Sequence, residues 1–101
     1  MEWELNQSEE KMSHEDAIKY CENLGPGWRT PTDKELESIV DRSKCNPASK
    51  LPDTVSSNYW SSTANADNTD YAWYVNFNYG YVYGDLKSIS YYVRAVRGTC
   101  T

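Results

Sequence analysis

Aliphatic side chains and phenylalanine are scarce in this chain: Leu, Ile, Val and Phe together supply 15 of 101 residues. So small a share is ordinarily the mark of a disordered sequence. No apolar run approaches the roughly 20 residues that a membrane-spanning helix needs. Basic residues are also few, 10 against 15 acids for a net charge of -5, so the positive footprint of a nucleic-acid binder is missing. There is one histidine, His14, which leaves zinc sites and Ser-His-Asp chemistry without their parts. Its place at a helix start predicts an exposed first-turn residue. The opening MEWELNQSEE is acidic and shows no apolar centre of a signal peptide. The expected location is outside the cell or on its surface, as a domain of a longer exported protein.

Aromatic residues fill the gap. Four Trp and nine Tyr oppose disorder, because each large ring buries on the order of 150–250 Å². They predict one folded domain over residues 1–101 with a core centred on Trp3, Trp28, Trp60 and Trp73. Charge and aromaticity are segregated. Residues 1–42 hold 11 acids and 5 bases; residues 43–101 hold 4 acids, 5 bases and seven of the nine Tyr, all seven between Tyr71 and Tyr92.

The first part reads as helical. Trp3 and Leu5 share a face of a short strand over residues 1–6. Ser13 with Asp16 forms a capping-box variant, and Ala17, Ile18, Cys21 and Leu24 follow helical spacing, predicting a helix over 14–24 that Gly25 and Pro26 end. Thr32 and Glu35 cap a second helix over 33–42 with Leu36, Ile39 and Val40 as its apolar face. Residues 43–58 read as loop. Strands follow at 59–63, 71–77, 81–86 and 91–98, with a polar turn at 64–70 and a hairpin turn at Asn78-Tyr79-Gly80. In 71–77 strict alternation puts Tyr71, Trp73, Val75 and Phe77 on one face and Ala72, Tyr74 and Asn76 on the other. Helices first and an antiparallel meander afterwards give an α+β domain, two helices packed on small antiparallel sheets with long loops.

The strings CENLGPGWRTPTDKELESIV (21–40), NYWSST (58–63), YAWYVNF (71–77) and YYVRAVRG (91–98), in that order, resemble the Lcl C-terminal domain family of bacterial collagen-like adhesins over about residues 12–98. The resemblance implies a C-type-lectin-like fold and a binding module of surface or secreted proteins rather than an enzyme. Formylglycine-generating oxidases share related lectin-like folds, but they need reactive cysteines at a groove, and Cys21 lies buried by helical phase while Cys100 is terminal. Relatives that bind sulfated polysaccharides do so through basic surface, which a net charge of -5 argues against here. Where the family often carries a cysteine between its two VR pairs this chain has Ala95. Against that pattern Cys45 and Cys100 are both departures and are expected to pair with each other, Cys21–Cys100 being the competing bridge.

Family members also serve as variable proteins of diversity-generating retroelements, in which asparagine codons of a C-terminal segment are rewritten. Residues 68–92 are similar to such a cassette. A frame of Ala72, Trp73, Val75, Phe77, Gly80, Val82 and Lys87 alternates with Asp70, Tyr71, Tyr74, Asn76, Asn78, Tyr79, Tyr81, Tyr83, Gly84, Asp85, Leu86, Ile89 and Tyr91.

The physical chemistry of that segment is that of a paratope. Tyr offers large amphipathic area for few rotatable bonds, and Asn, Asp, Ser and Gly adapt their hydrogen bonding. The expected ligand-binding residues are Asp70, Tyr71, Tyr74, Asn76, Asn78, Tyr79, Tyr81, Tyr83, Asp85 and Tyr91. The expected partner is a protein or glycan outside the cell, with a subunit contact through the aromatic face as the rival. No cofactor is expected, although Asp67, Asn68 and Asp70 offer oxygens that calcium would accept; a hydrogen-bonded turn is the favoured reading. Arg94 and Arg97, three apart in a strand, are expected on opposite faces, with at least one paired to an acid of the early helices.

Overall fold

A computed structural model describes residues 2–4, 7–51 and 54–98. The elements are β1 (Glu2–Trp3), α1 (His14–Glu22), β2 (Trp28–Arg29), α2 (Asp33–Glu37), β3 (Asn58–Ala64), β4 (Tyr71–Asn76), β5 (Tyr81–Leu86) and β6 (Val96–Arg97). They build two antiparallel three-stranded sheets, ordered β1-β6-β2 and β3-β4-β5. The architecture is the small α+β domain expected. Leu5, predicted to share a strand face with Trp3, lies outside the described residues, as does Cys100.

Local chemistry explains the helix boundaries. Ser13 caps α1 by accepting the Asp16 N–H, and Asn23 closes it two residues earlier than the periodicity suggested. The Thr32–Glu35 capping box forms in both directions, yet α2 stops at Glu37 instead of running to 42. Its would-be continuation finds other partners. Val40 bridges Ser49, Asp41 N–H donates to the Ala48 carbonyl and Lys50 N–H to the Ile39 carbonyl. An antiparallel contact suits the β-branched Ile39 and Val40 better than another helical turn.

The last predicted strand enters the sheet only at Val96–Arg97, because residues 91–95 cross between the sheets. On one side Tyr91, Val93 and Ala95 bond to Met12, Ser8 and Glu4; on the other Tyr92 exchanges hydrogen bonds with Asn58 and Trp60. The segment therefore fastens the amino-terminal arm to β3. Arg94 within it is buried, Nε donating to the Glu4 carbonyl and a terminal nitrogen to Thr54 Oγ1. Arg97 pairs with Glu2 of β1 at 2.6 Å and lies over the Trp28 ring, so its acid comes from a strand rather than a helix. The pairing with a helix acid is made by Arg29, which holds both Glu35 oxygens at 2.6 and 2.7 Å. That guanidinium, with the Thr32 N–H, keeps the Glu35 carboxyl down at about 2.

Two hydrophobic clusters flank the β3-β4-β5 sheet. Ala17 and Cys21 of α1 meet Trp60, Ala72, Val93 and Ala95; Leu36 of α2 meets Ile39, Val40, Tyr59, Val75 and Phe77. Both faces of the central strand are thus covered, which breaks the simple inside-outside alternation. Ala72, Val75 and Phe77 are buried, whereas Trp73 is half-buried against Gly84. Trp60 is the fully buried indole; Trp3 and Trp28 pack at the cluster margins. Tyr59 takes a core place that the composition suggested for tryptophan, its ring edge-to-face with Phe77 at 5.1 Å.

Candidate recognition face

In an antiparallel pair, directly opposed residues share a face of the sheet. The register sets Tyr74 opposite Tyr83, Ala72 opposite Asp85, Asn76 opposite Tyr81 and Trp60 opposite Tyr74. Trp60, Tyr74, Tyr81, Tyr83 and Asp85 therefore line one face. Over β3 that face lies beneath α1 and the 91–95 crossing; over β5 it emerges into solvent.

The rings form a ladder from core to surface. Trp60 lies 5.0 Å from Tyr91, Tyr91 is 4.6 Å from Tyr74, and Tyr74 is 5.9 Å from Tyr83, centroid to centroid. Trp60 is immobilised by its Nε1–H donating to the Met12 carbonyl and by the His14 ring set edge-on at 5.2 Å. Tyr91 is fixed by its hydroxyl donating to Asp85 at 2.6 Å. Burial and that carboxylate raise the Tyr91 phenol well above its usual range, so it stays a proton donor. At the outer end Tyr79, Tyr81 and Tyr83 are 60, 52 and 47% exposed. The Arg42 guanidinium sits over the Tyr81 ring at 5.7 Å.

The expected binding residues do not all reach this face. Tyr81, Tyr83, Asp85 and Tyr91 gather on the face, and Tyr79 extends it at the hairpin. Tyr74 is a correction: expected to project freely, it is half-buried against the α1 cluster because β4 is the central strand, and it presents only its outer part. Asn76 is a correction as well: its side chain accepts the Asn78 N–H at 2.7 Å, so it shapes the turn. Asn78 is half-buried and holds the turn through its backbone, its carbonyl accepting the Asn46 N–H. Tyr71 lies on the opposite face beside Trp73 and Leu86, and Asp70 sits in the turn before it.

That turn is hydrogen-bonded: the Asn65 and Asn68 side-chain oxygens accept the Asp67 and Asp70 N–H groups. Among the described residues no group of three or more His, Cys, Asp or Glu is placed to hold a metal ion. Cys21 is buried, its thiol pushed up to about 11 by desolvation; Cys45 is exposed, and both are free thiols. The expected Cys45–Cys100 bridge involves a residue outside the described set.

His14 differs most from its sequence reading. It is buried, and its Nε2 lies 2.8 Å from the Ser61 carbonyl, which can only accept, so Nε2 carries a proton and donates it there. Spacing alone could not find this, since it depends on β3 passing under the first turn of α1. Desolvation lowers the His14 pKa from 6.5 and Lys87 adds to the effect. The folded state then binds fewer protons here than the unfolded state, and stability falls as pH drops through 6.5. We expect urea midpoints to decline from pH 7.5 to about pH 5 in the wild type and to decline less over that window in His14→Gln. Parallel slopes would show that His14 is not the titrating group.

Among the described residues no helix is long and apolar enough to cross a membrane. A search among curated proteins returns no match. The model of the Lcl C-terminal domain family matches residues 1–97. Over nearly its whole length, including both helices and the aromatic sheet, the chain belongs to the Lcl C-terminal domain family.

Proposed function

We propose that this domain is a non-enzymatic recognition module of a surface-exposed protein, with a C-type-lectin-like fold, binding a protein or glycan through the outer face of β4 and β5. The observation that carries this reading is the ring ladder. Tyr79, Tyr81 and Tyr83 stand in solvent, yet Tyr83 continues a rigid stack that ends on fully buried Trp60. Rigid aromatic area lowers the ordering cost of binding, and clustered exposed rings are what most monomers avoid. Cys21 is buried and its thiol is pushed up to about 11, which argues against thiol chemistry at that residue.

The diversified-cassette reading draws support from the same division. Of its proposed frame, Ala72, Val75, Phe77 and Gly80 are buried; of its proposed variable positions, Tyr79, Tyr81, Tyr83, Leu86 and Ile89 are exposed. A coding near-copy of residues 68–98 with asparagine codons at the Tyr and Asp positions, beside a reverse transcriptase, is the genomic result expected.

For the binding claim, the wild type is screened on glycan and surface-protein arrays and the strongest ligand is titrated against a Tyr81→Ser/Tyr83→Ser variant. Loss of about 2 kcal/mol or more, roughly 30-fold in Kd, is expected. The melting temperature should stay within about 4 °C, since exposed positions away from the core change stability little. Unchanged affinity in a folded variant refutes the assignment of the face.

A further inference from the structure

Backbone geometry at β5 carries a second surface, distinct from the ring face. The Lys87 N–H donates to the Asp70 carbonyl at 2.9 Å, which makes Tyr71–Leu86 a non-hydrogen-bonded pair. Hydrogen-bonded and non-hydrogen-bonded pairs alternate along an antiparallel ladder. Tyr81, Tyr83 and Asp85 therefore spend their backbone groups on β4. Val82, Gly84 and Leu86 turn theirs to the open edge. Leu86 is already answered, its N–H by the Asp85 side chain and its carbonyl by Ile89 N–H. Val82 and Gly84 are left, with two N–H and two carbonyl groups at the spacing of a strand ladder.

The other long edge of this sheet is closed: Tyr92 and Pro31 carbonyls accept the Trp60 and Ser62 N–H groups of β3. β5 has neither the Pro nor the Lys that normally guards such an edge.

We propose that β5 is a self-association edge, pairing antiparallel with β5 of a second copy of this chain about a two-fold axis at Tyr83. In that register Val82 faces Gly84 of the second copy and the reverse. Each hydrogen-bonded pair exchanges two bonds, so the two pairs exchange about four. The side chains agree with it. Gly84 carries none, so Val82 of the second copy packs without a clash beside Trp73. Tyr83 meets Tyr83. Tyr81, with Arg42 over its ring, faces Asp85 of the second copy, and no base among the described residues pairs with Asp85. Arg42, which also lies 3.8 Å from Glu37, thus brings a positive charge toward Asp85 at both ends of the pairing although each chain carries -5. Edge pairing leaves the aromatic face open and joins two such faces into one continuous surface, so it stands whether or not that face binds a ligand.

The test is sedimentation equilibrium from micromolar to near-millimolar chain, with amide exchange followed by NMR. The mass should rise from 11.6 kDa toward twice that value, and the Val82 and Gly84 amides should gain protection with concentration. Tyr83→Lys, which sets like charges on the axis, and Val82→Pro, which removes an outward donor, should each hold the chain as a monomer. Mixing Tyr83→Lys with Tyr83→Glu should restore a heterodimer, a result that depends on register and not on foldedness. A monomer throughout, a trimer, or a dimer that survives both substitutions overturns the proposal.

Discussion

Trp60→Ala is expected to lower stability by about 4 kcal/mol, the range found for emptying a buried indole site. Trp60 is fully buried between the α1 cluster and β4. Its loss opens a cavity and takes away one of the two donors to the Met12 carbonyl, which keeps only the Tyr91 N–H. It also removes the surface on which His14, Tyr91 and Tyr74 rest. Domains of this size hold roughly 5–15 kcal/mol in total, so the variant should retain a small margin at best. Chemical denaturation measures the loss. Trp60→Phe, which keeps a ring but not the donor, should lie between the wild type and Trp60→Ala. A Trp60→Ala loss under about 1 kcal/mol would mean that the indole is not the anchor of the ladder.

Gly80→Ala is expected to cost about 3 kcal/mol for two separable reasons. Gly80 has φ +88°, where an L side chain is strained by roughly 1–2 kcal/mol. An added Cβ would also stand 2.5 Å from Val40 Cγ1, so the 39–42 segment would have to move, an overpacking cost of about 1–3 kcal/mol. At 4–8 °C per kcal/mol the melting temperature should fall by roughly 10–25 °C. The companion variant Val40→Ala/Gly80→Ala relieves the clash but not the dihedral strain. It should cost less than the sum of its single substitutions, which a double-mutant cycle measures.

Local signals were legible in the sequence. Ser13 and Thr32 start the helices they were expected to start, and Tyr71 opens the strand predicted from it. These depend on neighbours within a few residues. The misjudged positions depend on what arrives from far along the chain. His14 is buried because Ser61 passes beneath it, 47 residues away. Tyr74 is half-covered because Tyr91 crosses it. α2 is short because residues 48–50 offer Ile39, Val40 and Asp41 a strand-like partner. Within the candidate site, composition located the tyrosines, and Tyr81 and Tyr83, expected among the binding residues, stand exposed on an edge strand. Alternation failed on β4, where clusters press from both sides and each face is at least partly covered.

Parallel saturation libraries, sorted for protease resistance, address the separation of frame from surface most directly. One randomises Tyr79, Tyr81, Tyr83, Leu86 and Ile89; the other randomises Ala72, Val75, Phe77 and Gly80. Most members of the first library should remain as resistant as the wild type and nearly all members of the second should be digested. Equal losses in both would contradict the account, because the tyrosines would then be holding the domain together instead of standing on it.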